Sequence, residues 1–189
     1  MTDPWATFDL PPAAVDVWRM EATCRRMWVF EPLTVPGLLQ TPEYTRALLA
    51  GINSPPLSPD AVEAIGGARK ARQTLLVRPD GPEMRFLVDQ PALRRLVGSQ
   101  AVMLAQLDRI EEVAAGGVSV QVVPAGSPAH PGMRGAFWIA DDQVYFEGPP
   151  GDHFGPAGDW PAVFEQIAGL ASRPEDLPAV LDRIRAELQ

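Results

Sequence analysis

The stretch Glu31–Leu49, EPLTVPGLLQTPEYTRALL, decides how this chain is read, because a loop bearing proline and glycine gives way there to a helix with a marked start. Thr41 suits the N-cap, where its hydroxyl takes up a free amide of the first turn. Pro42 suits the first helical position, where its missing N–H costs nothing, and Glu43 complements the positive helix end. Upstream, Pro32 and Pro36 stiffen the approach, and Gly37 admits close packing or an unusual backbone angle. By residue type alone this is a helix–loop–helix corner that catalyses nothing.

Working outward, residues 1–12 read as a proline-rich arm with Trp5 and Phe8 free to dock on the body. Residues 13–27 read as a helix, with Val17, Met20 and Cys24 at helical spacing and Trp28 continuing that side. Cys24 is then a small buried hydrophobe. Ser58-Pro59-Asp60 opens a helix reaching Val77, in which Gly66-Gly67 is a weak point. Beyond a turn at residues 79–82 the period changes. Residues 84–89 read as a buried strand, 91–97 as a short helix, and 100–114 as an amphipathic helix striped by Met103, Leu107, Ile110 and Ala114. Residues 118–123 alternate as a half-buried strand. Residues 136–140 and 144–147 form two antiparallel strands about Asp141-Asp142, between loops at 124–135 and 148–159. Helices at 161–171 and 175–188 close the chain. The expected architecture is α+β, helices at both ends around a small, mainly antiparallel sheet of about four strands, in one domain over residues 13–189.

The 189 residues, 46% hydrophobic and 21% charged, suit one globular domain with its own core. The apolar runs are too short to span a bilayer, and the opening MTDPWATFDLPP lacks the pattern of a secretory leader. A single cysteine forms no internal disulfide, which makes a cytoplasmic location the economical expectation. A net charge of −8 argues against nucleic acid as a partner. Arg25-Arg26 and Arg69-Lys70-Arg72 read as solvated or salt-bridged helix faces.

Two histidines and one cysteine are too few for a zinc site, so no metal is expected. Nucleotide-binding and nucleophile-elbow motifs are missing, and Pro131–Gly135 is followed by no helix that would point its amides at a phosphate, so no cofactor is expected either. What remains is a polar and aromatic set. Trp28, Glu31, Arg134, Phe137, Trp138 and Tyr145 are candidate ligand-binding residues, and Glu147, His130 and Asp89 are candidate catalytic groups. One reading makes Phe137, Val144 and Phe146 core, with Tyr145 and Glu147 facing solvent. The other gathers the set into an apolar pocket between sheet and helices, where Glu147 or Asp89 acts as a general base if burial raises its pKa.

The wording of the corner also resembles the signature of an uncharacterised domain found C-terminal to the Xre-type helix-turn-helix in bacterial regulators described as antitoxin-like. The resemblance runs from Glu21 to Ile184. It is carried by Glu21-Ala22-Thr23, by Arg69-Lys70-Ala71-Arg72-Gln73 with Leu75-Leu76, and by Ala92-Leu93-Arg94-Arg95. Further matches are Gln106-Leu107-Asp108, Val122-Val123-Pro124, and Ala129-His130-Pro131-Gly132 leading to Phe137. Two departures stand out: an acidic residue shifted to Asp89, and a rewritten, lid-like stretch at residues 148–156. About twenty residues precede the match, too few for a helix-turn-helix, so a stand-alone body without its DNA reader is expected.

Two functions follow as expectations. The resemblance implies a regulator-like sensor domain that binds a small apolar or amphipathic molecule, or a protein partner, with no nucleic acid or membrane. The alternative is a cofactor-free biosynthetic enzyme, a cyclase or cycloaddition catalyst for a natural-product intermediate. Such an enzyme needs shape and desolvation rather than a motif.

Overall fold

The computed structural model describes residues 12–147 and 153–188. Its central strand is β1, Arg26–Glu31, with sequence RMWVFE and five of six residues buried. Met27-Trp28-Val29-Phe30 is a continuous apolar run, as a strand covered on both faces requires. Over so short a window such a run is indistinguishable from the tail of a helix. The helix expected over 13–27 therefore stops early: α1 is Pro12–Thr23, and the Thr23 hydroxyl donates back to the Arg19 carbonyl at 2.8 Å. Asp141 secures the start of β1 by accepting the backbone N–H groups of Arg25 and Arg26 at 3.0–3.1 Å. Asp141 lies at a φ of 51°, left-handed backbone that Asp tolerates in a tight hairpin.

On one side β1 pairs in parallel with β2 (Glu83–Asp89), and β2 pairs in parallel with β3 (Ser119–Val123). On the other side β1 pairs antiparallel with β4 (Phe137–Ala140), followed by β5 (Gln143–Phe146) and β6 (His153–Pro156). The order is β3-β2-β1-β4-β5-β6. The α+β class stands, but the sheet is six-stranded and mixed, which corrects the expectation of a mainly antiparallel sheet of four strands. The two strands that were not expected are β1 and β6. His153-Phe154-Gly155-Pro156 has no alternation and contains two residues disfavoured in strand interiors, so it reads as loop.

Parallel pairing requires crossovers. The chain passes from β1 to β2 through α2 (Pro42–Ile52) and α3 (Pro59–Arg72), and from β2 to β3 through α4 (Gln90–Arg94) and α5 (Gln100–Ala115). These helices share one face of the sheet with α1 and α7 (Leu177–Leu188), while α6 (Trp160–Ala168) covers the other. Strand alternation divides the core accordingly. Met27 and Val29 join the larger cluster with Tyr44, Met103 and Leu181. Trp28 and Phe30 join the smaller one with Phe137, Ile139, Phe164 and Ile167.

The caps read from sequence are in place. Thr41 Oγ1 accepts the Tyr44 amide at 3.1 Å, and Ser58 Oγ accepts that of Ala61 at 3.2 Å. α3 runs through Gly66-Gly67 unbroken and tightens into a 3₁₀ turn only at Gln73. Residues 1–11, with Trp5 and Phe8, and residues 148–152 of the lid-like stretch lie outside the described residues; Pro12 already belongs to α1. No helix among the described residues is long and apolar enough to cross a membrane.

Candidate functional site

The loop from β1 to α2 has one 3₁₀ turn, Gly37–Leu39, and buried side chains satisfy backbone groups that the turn leaves over. Gln40 Nε2 donates to the Val35 carbonyl at 2.7 Å, while Tyr44 Oη accepts the Val35 N–H at 3.2 Å. From α5, Gln106 Oε1 accepts the Thr41 N–H at 2.8 Å and Nε2 donates to the Leu39 carbonyl at 2.7 Å. Gln73 Nε2 donates to the Gln40 carbonyl at 2.6 Å. Gln40 Oε1 in turn accepts from Thr45 Oγ1 at 3.0 Å and from Arg69 Nη1 at 2.5 Å. Such a fully paired buried network holds its loop in one conformation.

Two arginines of α3 extend the network into a charged cluster. Arg72 donates through Nε and Nη2 to both oxygens of Glu21 on α1, at 2.8 and 2.6 Å, and lies 4.5 Å from the centre of the Trp18 ring. Arg69, one turn earlier, is half-buried and faces Glu31 and Glu147 electrostatically. Glu31 ends β1 and is only 5% exposed. Burial pushes its pKa well above the ordinary carboxyl range and repulsion from Glu147 adds to this, against the opposing pull of Arg69 and a hydrogen bond with the Thr34 side chain. Burial also lowers the pKa of Arg69, with Arg72 beside it acting in the same direction.

Glu31 stands at the carboxyl end of β1, which has the parallel strands β2 and β3 on one side and the antiparallel β4 on the other. Phe30 pairs with Phe137 and Phe137 with Phe146, which brings Glu31 and Glu147 to the same edge. The loop after β1 adds one exposed apolar side chain there, Leu33 at 61%.

The candidates named from sequence do not converge on one pocket, because the sheet divides them. Glu31, Trp138, Tyr145 and Glu147 belong to the α3 side, with Trp138 and Tyr145 5.1 Å apart. Tyr145 is buried rather than facing solvent, whereas Glu147 is exposed. Trp28 and Phe137 lie on the α6 side, where their ring surfaces are already occupied: Trp28 stacks on Phe164 at 5.0 Å, and Phe137 lies 4.8 Å from Trp160. His130 and Asp89 approach each other at this carboxyl edge, also on the α6 side. Burial raises the pKa of Asp89 and His130 counteracts it. The His130 ring meets Phe30 edge-on at 5.9 Å, and its buried Nδ1 has no hydrogen-bond partner among the described residues. Arg134 is exposed. Glu147 and His130 are thus on opposite sides and form no catalytic pair.

The residues that sequence reasoning passed over are Arg69, Arg72, Glu21, Gln40 and Gln106. The signal for them was present in part, since Arg69 and Arg72 are one helical turn apart and share a face. Among the described residues, no group of three or more His, Cys, Asp or Glu is gathered closely enough to hold a metal ion. Chemically the cluster offers a buried carboxyl that favours its protonated form, an exposed carboxylate, and a guanidinium whose charge acts on both. It can take up or release a proton as a charged or hydrogen-bonding group arrives.

Comparison with curated proteins returns no match, and comparison with solved structures returns none either. A family model described as a domain of unknown function (DUF5753) matches residues 15–177, and the chain belongs to that family.

Proposed function

We propose that the protein is a binding module for a small amphipathic molecule, of the kind that forms the sensor part of bacterial transcriptional regulators, and that it does not itself bind DNA. The observation that carries this reading is Glu31, a nearly fully buried carboxyl at the carboxyl end of the central strand, on which the charges of Arg69 and Glu147 act in opposite directions. A ligand with hydrogen-bond donors or a positive charge meets acceptors there, while Leu33 offers apolar surface for the rest of it. The net charge of −8 supports the exclusion of DNA.

The test is titration of ¹⁵N-labelled protein with a series of n-alkylamines and n-alkanols of equal chain length. Amide shifts concentrated at Glu31, Thr34 and Arg69, and weakened in Glu31→Gln, support the reading. Scattered or absent shifts overturn it, as does tight, salt-sensitive binding to duplex DNA. A second reading, a cofactor-free cyclase, draws on the preference of Glu31 for its protonated form, which suits a general acid. It requires a Glu31→Gln variant that still binds the substrate but no longer turns it over.

A further inference from the structure

At the opposite edge of the sheet, the amino ends of β2 and β3 border a groove of about 330 Å³. Its apolar lining comes from Leu75, Leu76, Pro82 and Met84, and Arg78 brings charge to it. Arg85 also borders the groove, but its guanidinium lies over the rings of Trp28 and Phe164 on the α6 side. Arg85 is answered by Glu165 of α6 through a two-pronged ion pair. Arg78 is in no ion pair among the described residues. Its Nη atoms reach only the carbonyls of Ala22 and Asp80, at 3.3–3.5 Å, and its Nε is buried with no acceptor. A half-buried guanidinium with weak neutral partners and an unused N–H lacks the counter-charge that such a group normally takes. The turn that carries it is tight, with the Gly81 amide donating to the Arg78 carbonyl at 2.9 Å.

We propose that this groove binds a small amphipathic anion, with a carboxylate or phosphate head group on Arg78 and an apolar body along Leu75, Leu76, Pro82 and Met84. The volume lies within the range of small-molecule sites, which runs from about 300 Å³ upward. The one carboxylate on the groove lining, Glu83, is exposed at its rim and opposes an anion. This site is separate from the Glu31 cluster and stands whether or not that cluster binds a ligand.

The experiment uses the full chain with sodium octanoate, octyl phosphate and octylammonium as probes, read by methyl NMR and calorimetry. Both anions are expected to shift the methyl signals of Leu75, Leu76 and Met84, and the tighter of the two identifies the head group. Octylammonium is expected to leave those signals unchanged. Arg78→Gln is expected to weaken anion binding about tenfold, and Arg78→Lys to recover part of that loss. Glu83→Gln, an exposed change that carries no risk to folding, is expected to tighten anion binding. The proposal is overturned if neither anion shifts the groove methyls, or if octylammonium binds there as well as they do. Unchanged anion affinity in Glu83→Gln overturns it too, and settles the matter should Arg78→Gln fail to fold.

Discussion

Arg72 clasps Glu21 with two hydrogen bonds, and both side chains are withdrawn from solvent, at 6% and 0% exposure. The pair ties α1 to α3, and Arg69 on the same helix feels both partners as well as Glu31 and Glu147. Burial raises the pKa of Glu21, with Arg72 pulling it back. Removing one partner strands the other charge in the interior. Glu21→Ala is therefore expected to cost about 3–5 kcal/mol in urea unfolding. The double change Glu21→Met with Arg72→Met is expected to recover most of this, because no unpaired charge is then left behind. A single variant as stable as the native protein would show that α1 is not held by this pair.

The stability of the fold should carry the mark of Glu31. Its folded pKa lies above its unfolded one, so the folded state holds the proton more tightly. Stabilisation from this group is complete below the ordinary carboxyl range and is lost as pH rises towards the folded value. Glu31→Gln keeps the shape and cannot ionise. Its Tm should match that of the native protein near pH 4 and exceed it at pH 8; a variant less stable than the native protein at pH 8 contradicts the account.

Gly132 is packed too closely to accept a side chain. A Cβ there would lie 2.5 Å from Cε1 and Cζ of Phe30 and 3.0 Å from His130 Nδ1. Phe30 is fully buried in the central strand and cannot yield. Gly132→Ala is expected to cost about 1–3 kcal/mol by denaturant unfolding and to move the His130 ring signals in NMR.

Cys24 should be chemically quiet. Burial pushes its thiol up to about 12, and Asp141 and Glu21 push in the same direction. At pH 8 a thiol of that pKa is ionised in roughly one molecule in ten thousand, and the thiolate is the reactive form. Ellman's reagent should leave the native protein unlabelled within minutes and should titrate one thiol after unfolding in guanidinium. Rapid labelling of the native state would mean that α1 lifts readily from the sheet.

What the amino-acid order determined by itself is local. The Thr41 and Ser58 caps, the stripe of Met103, Leu107 and Ile110 on α5 and the inward face of α7 all follow from spacing, because capping and helical periodicity act within a few residues. Tertiary structure alone decided that Met27–Phe30 is the central strand rather than the tail of α1, since a short apolar run has no period of its own until it finds partners on both sides. That one assignment rearranged the candidate site. Once β1 is a strand, neighbours in sequence point to opposite faces: Trp28 goes to α6 and Glu31 to α3, so residues that looked like one pocket are divided by the sheet. The pairing of Arg72 with Glu21 and the bond from Arg69 to Gln40 join positions far apart in the chain, and only the crossovers that parallel strands demand bring them together.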